Sequence, residues 1–185
     1  MKRFIPLAFP AVLALAACST APETNAGLET LHIEVQSTVD DFKTQDPTMQ
    51  RLFDTAYGYA VFPEITTGGA GLAFAGGRGE VFVNHSVVGN AKVTQASIGA
   101  QLGGQKYSEI IFFESQGAYA SFRSGELAFD ARATAIAASH GAAATADYRN
   151  GVAVFTIPQG GLMFQAAVGG QKFSFTARGN PATRP

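Results

Sequence analysis

The spacing of apolar positions changes character once along the chain. From Gly27 to Lys43 apolar residues fall at Leu28, Leu31, Val35, Val39 and Phe42, with Glu, Gln and Asp between them. This spacing predicts an amphipathic helix with an acidic outer face. Asp46-Pro47 predicts a second helix start, a capping carboxylate ahead of a proline at the first helical position. Met49, Leu52, Phe53 and Ala56 give that short helix its apolar side, and Gly58 stands just past its end.

Beyond Gly58 the pattern turns to short apolar runs and alternation, the signature of strands. Tyr59 to Phe62 predicts a strand closed by Pro63, and Thr66 to Val83 two β segments around Gly76, Gly77 and Gly79. Val87 to Val93 reads as a connection or edge strand with a turn at Gly89-Asn90. Ala96 to Leu102 and Tyr107 to Phe113 read as a hairpin turned at Gly103-Gly104. Ser115 to Ser124 predicts one short helix with Ala118, Tyr119 and Phe122 on one side. Residues 127–137 alternate but are rich in alanine, so strand is favoured over helix. Asn150-Gly151 predicts a turn before a strand from Val152 to Ile157, and Pro158 to Gly161 a break. Leu162 to Val168 with Phe173 to Ala177 predicts a last hairpin, and Gly179 to Pro185 a tail.

One segment recurs. Gly103-Gly104-Gln105-Lys106-Tyr107-Ser108 returns as Gly169-Gly170-Gln171-Lys172-Phe173-Ser174, with a weaker echo in Gly76-Gly77-Arg78-Gly79-Glu80-Val81. These read as equivalent glycine turns. The fold class expected is α+β: N-terminal helices packed on a glycine-rich, strongly bent, mostly antiparallel sheet, partly closed towards a barrel.

Composition sharpens this. At 185 residues the chain is one domain's worth, and 15 Phe with no Trp predict a Phe-rich core. The net charge of −1 argues against a nucleic-acid partner. Its distribution is uneven. Cys18 to Glu64 holds two basic and eight acidic residues, net −6, and Ile65 onward nine basic and six acidic, net +3.

The first residues read as an address. Met1-Lys2-Arg3 is basic, Phe4 to Ala14 is too short to span a bilayer, and Leu15-Ala16-Ala17-Cys18 resembles a bacterial lipobox. Residues 1–17 are expected to be a signal peptide, Cys18 an acylated lipid anchor and 18–26 a tether. Residues 27–178 would form a single domain and 179–185 the tail. Cys18 is the only cysteine, so no internal disulfide can form. Ser19 after the Cys points to the outer membrane of a Gram-negative cell, on the periplasmic side.

Catalytic patterns are sparse. His32, His85 and His140 lack metal-site spacing. Gln95-Ala96-Ser97-Ile98-Gly99 departs from a nucleophile elbow at its first position, and Asp130 near Arg132 reads as a surface pair. No phosphate-loop motif occurs. The expectation is a non-catalytic protein without cofactor or metal.

Gly58-Tyr59-Ala60-Val61-Phe62-Pro63 followed by Gly68-Gly69-Ala70-Gly71 resembles the opening of the SYLF-domain family. Ser97 to Gln105 resembles its central glycine motif. Phe122-Arg123-Ser124-Gly125, Gly151 to Phe155 and Gly160-Gly161-Leu162 match in order. The resemblance covers roughly Leu52 to Thr176 and is nearest to bacterial lipoproteins. It implies binding of phospholipid or phosphoinositide-like headgroups without catalysis, and carries over no defined residue set. The acidic first helix departs from the basic N-terminal segment that some eukaryotic members use. Arg78, Lys106 and Lys172, each in or beside a related glycine turn, are the candidate ligand-binding residues. The alternative is a scaffolding lipoprotein that contacts envelope proteins or peptidoglycan.

Overall fold

The computed structural model describes residues 24–127, 135–160 and 170–179, without the side chains of 70–72 and 97–103. Cys18, the strand expected at 162–168, most of the alternating segment and most of the tail lie outside the described residues, as do Asp130 and Arg132. Helix α1 spans Asn25–Gln45, a 3-10 turn Pro47–Met49, and α2 Gln50–Thr55. Strands β1 (Gly58–Val83) and β2 (Ser86–Phe113) follow, then α3 (Gln116–Arg123), β3 (Ile136–Ala137), β4 (Val152–Pro158) and β5 (Lys172–Ala177). The class is α+β, as the pattern predicted. The sheet runs β1-β2-β4-β3 with β5 also paired to β2, antiparallel except between β3 and β4, and among the described residues it is not closed into a barrel.

The expected series of short hairpins is in fact one long one. β1 and β2 pair from Gly58↔Phe113 to Val83↔Ser86. The turn between them is Asn84-His85, both at positive φ (49° and 60°), the two-residue geometry whose twist suits a hairpin. Gly103-Gly104 turns nothing. It lies inside β2 opposite Gly69 and Gly68, and Gly89-Asn90 likewise lies within β2. Pro63 does not end its strand, because it falls in a register shift between Phe62 and Ile65. Bulges leave a residue outside the ladder, so a missing N–H is tolerated there. The Pro63 carbonyl accepts hydrogen bonds from Ser108 Oγ (2.7 Å) and Gln159 Nε2 (2.6 Å).

The hairpin is doubled onto itself. A Cβ on Gly58 would collide with the carbonyl oxygen of Phe82, and one on Gly79 with that of Val61. A Cβ on Gly77 would lie 2.6 Å from the carbonyl oxygen of Glu64. The two halves of β1 therefore meet backbone to backbone, at a spacing that any side chain would prevent.

Over residues 59–62, 110–113 and 152–155 the sheet is covered on both sides, which explains the continuous apolar runs there. Tyr59, Val61, Phe82, Ile110, Phe112, Ala153 and Phe155 pack with Leu31, Val35, Val39 and Phe42 of α1 and with Met49, Leu52 and Phe53. The alternate residues Ala60, Phe62, Val81, Ile111, Phe113, Val152, Val154 and Phe173 pack with Ala118, Tyr119 and Phe122 of α3. Each helix was legible in the chain. Thr24 caps α1 by accepting from the Gly27 N–H (3.2 Å), and Ser115 caps α3 by accepting from the Ala118 N–H (3.3 Å). Asp46 caps the 3-10 turn through Thr48 N–H (3.0 Å) and Thr48 Oγ1 (2.6 Å). It also accepts the amides of Gly141 (3.0 Å) and Ala143 (2.7 Å), tying the helices to a distant loop. Burial pushes the Asp46 carboxyl up, but these four hydrogen bonds outweigh it and hold the carboxyl below its ordinary range.

Gly79→Ala tests the doubling. The new methyl meets backbone, which cannot step aside, so a loss of about 2–3 kcal/mol in urea unfolding is expected. Gly68→Ala adds its methyl where nothing lies within 4 Å, and should change stability by under about 0.5 kcal/mol.

Candidate functional site

The far half of the hairpin and β5 form three adjacent strands with one wet face. Register sets which side chains share it. Arg78 pairs with Lys92, which pairs with Ser174, and Gly76 pairs with Thr94, which pairs with Lys172. Residues opposite each other in an antiparallel ladder, and those two apart along a strand, point the same way. Phe74, Gly76 and Arg78 of β1, Lys92, Thr94 and Ala96 of β2, and Lys172, Ser174 and Thr176 of β5 therefore share one face, and all nine are exposed. The intervening residues Ala73, Gly79, Val81, Ala91, Val93, Gln171 and Phe173 are buried. Phe74 is 59% exposed, unusual for so large an apolar side chain.

Of the three candidate residues, the fold brings two together. Arg78 and Lys172 stand on this face, with Lys92 between them. Lys106 lies on the other half of the hairpin, opposite Thr66. Its ammonium is 2.9 Å from Glu64 Oε2. The hydrogen bond from Lys106, with one from Thr66 Oγ1 (3.0 Å), holds the Glu64 carboxyl below its ordinary range. Arg78 and Lys106 are mid-strand, and Lys172 opens β5. Lys92 falls in the segment read as a connection or edge strand, and it holds a period-two position between buried Ala91 and Val93.

The carboxylate on this strand face is Glu80, two positions from Arg78 and fully buried. His32 of α1 approaches its Oε2 with Nδ1 at 2.7 Å, and Arg178 Nη2 donates to its Oε1 at 3.0 Å. Glu80 is thus covered and paired, which leaves the exposed charges of the face basic. Through Glu80, His32 links α1 to this face.

The opposite, inner side holds a second polar group of residues. Glu109 is fully buried between Phe62 of β1 and Thr156 of β4. Gln171 Nε2 donates to Glu109 Oε2 (3.1 Å) and to the Tyr107 hydroxyl (3.4 Å). Burial pushes the Glu109 carboxyl up to about 7, only partly opposed by the Gln171 hydrogen bond. Burial, with Glu109 beside it, also raises the Tyr107 phenol.

The structure therefore defines an α+β domain with a solvent-facing basic sheet surface. Over 136 residues the chain is 30% identical to beta cell expansion factor A of Aeromonas veronii, covering 70% of this chain and 49% of that protein. The chain spans about half the length of that curated relative. No protein-family model matches it.

The two ion pairs should behave differently. Arg178→Ala leaves a buried carboxylate with His32 alone and should cost about 1–3 kcal/mol in urea unfolding. Lys106→Ala breaks an exposed pair and should cost under about 1 kcal/mol.

Proposed function

We propose that this chain is an envelope lipoprotein anchored through Cys18, whose SYLF-like domain binds anionic phospholipid without catalysis. The observation that carries the reading is the co-facial placement of Arg78, Lys92 and Lys172 on three adjacent strands, with Phe74 exposed among them. A cationic face bearing one protruding aromatic ring suits a charged membrane surface, where the cations meet phosphate and the ring enters the interface. Thr94, Ser174 and Thr176 add hydroxyls that can donate to phosphate oxygens. Among the described residues no helix is long and apolar enough to cross a membrane, and acylation of Cys18 would supply attachment instead. The ordered SYLF-like motifs, which run through β1, β2, α3 and β4, agree with this reading. The acidic outer side of α1 gives such a membrane no attraction, so the sheet face carries the contact.

Magnitudes set what to expect. Each Lys or Arg near an anionic bilayer contributes about 1 kcal/mol, and a partly inserted Phe about 1–2 kcal/mol. The sum corresponds to dissociation constants around 1 mM in lipid, weak and readily screened by salt.

The test uses residues 19–185 without the acyl group. Flotation with millimolar phosphatidylglycerol vesicles at low salt is expected, with little on phosphatidylcholine. The triple variant Arg78→Ala, Lys92→Ala, Lys172→Ala should stay at the bottom of the gradient, and Lys106→Ala should float like the parent. A parent protein that ignores anionic vesicles, or a folded triple variant that floats equally well, contradicts the proposal.

A further inference from the structure

The interior beneath the basic face holds buried polar oxygens that no hydrogen bond reaches among the described residues. Glu109 Oε1, Thr156 Oγ1 and Gln171 Oε1 are buried and have no hydrogen-bond partner. Glu109 and Thr156 stand directly opposite each other on β2 and β4, and Gln171 is bonded to Glu109. All three orphan atoms are oxygens. The amide of Gln171 already gives its Nε2 donors to Glu109 Oε2 and to Tyr107. While Glu109 is ionised, its Oε1 and Gln171 Oε1 can only accept, and the Thr156 hydroxyl, which could donate, is bonded to neither; the buried charge is then met by the Gln171 amide alone. A proton on Glu109 Oε1 converts an orphan acceptor into a donor and removes the buried charge together.

Uncharged groups face Glu109 from the described elements around it. Phe62 faces it from β1, Thr156 from β4, Tyr107 from its own strand and Gln171 from the approach to β5. Among the described residues no cation is a cause of the Glu109 shift. Gln171 is also the link outward. It follows Gly170, a positive-φ turn (78°), and precedes Lys172 of the exposed face.

We propose that the proton on Glu109 is a latch on the start of β5: while Glu109 is neutral, Gln171 is held against the sheet and Lys172 stands in the basic face, and loss of the proton loosens both. The inference about Lys172 rests on the anionic-lipid reading of that face; the latch itself does not. The sign follows from where the proton binds better. The carboxyl ordinarily titrates at 4.5 and here is raised to about 7. The Gln171 hydrogen bond alone favours the ionised carboxyl, but burial outweighs it, so the closed form takes up the proton more readily than an open one in which Glu109 meets water. Its advantage is complete below 4.5, falls as pH rises towards about 7 and is constant above.

Hydrogen exchange of the β5 amides, corrected for intrinsic chemistry, tests this in the full domain. Opening in the parent should rise by up to about tenfold per pH unit between 4.5 and 7 and then level off. Glu109→Gln keeps the shape and stays neutral, so its β5 opening should be flat across the same range. Because His32 is unchanged in both proteins, the difference between them isolates Glu109. A parent with flat β5 opening, or a variant that rises in parallel with it, overturns the latch. Vesicle binding over the same range provides a second arm. A decline in the parent that Glu109→Gln abolishes supports the coupling to Lys172, and equal declines overturn it. If neither protein binds anionic vesicles at any pH, the lipid reading fails, while the exchange result still decides the latch.

Discussion

Contact between the two halves of β1 is the constraint on which the rest depends. A long two-stranded ribbon alone has two faces and no core, and such ribbons are marginal in water. Here the ribbon doubles until backbone meets backbone at Gly58, Gly77 and Gly79. That contact brings Phe82 beside Tyr59, their rings stacked at 4.8 Å, and Phe173 beside Phe62 and Phe122. One hairpin thus supplies both apolar faces, and α1 and α3 have only to cover them.

The same doubling sets where polar groups go. The near half of the ribbon is buried on both sides over residues 59–62 and 107–113. The far half, with β5, has one side in the core and one in water. Arg78, Lys92 and Lys172 fall on the wet side because register and the two-residue period put them there. Glu80 falls on that side too, but α1 passes over it and His32 and Arg178 take up its charge. Electrostatic character here is therefore a property of topology: a slightly acidic chain presents a locally basic surface.

Much of this was legible locally. The apolar spacing of α1, the Asp46-Pro47 start, the short helix after Ser115 and the turn at Asn150-Gly151 each follow from short-range rules, and the structure keeps them. What could not be read is long-range. Pro63 and the paired glycines carry the local chemistry of breakers. Pro63 is absorbed by a bulge, and the glycines inside β1 serve close approach. Asn84-His85, the true turn, lacks the glycine that usually marks one. Lys106 resembled Lys172 because their segments are nearly identical, but Glu64 claims one and solvent the other. Glu109 sits in an apolar run, and nothing near it in sequence announces that Thr156 and Gln171 will face it.

The central claim is that a doubled hairpin builds one basic face, made from Arg78, Lys92 and Lys172 without Lys106, and that this face meets anionic lipid. Backbone amide NMR during titration with a short-chain anionic phospholipid tests it most directly. The account predicts shifts confined to residues 74–78, 92–96 and 172–176, with the region around Glu64 and Lys106 silent. Shifts centred on Glu64 and Lys106, or no shifts at all in a folded protein, would contradict it.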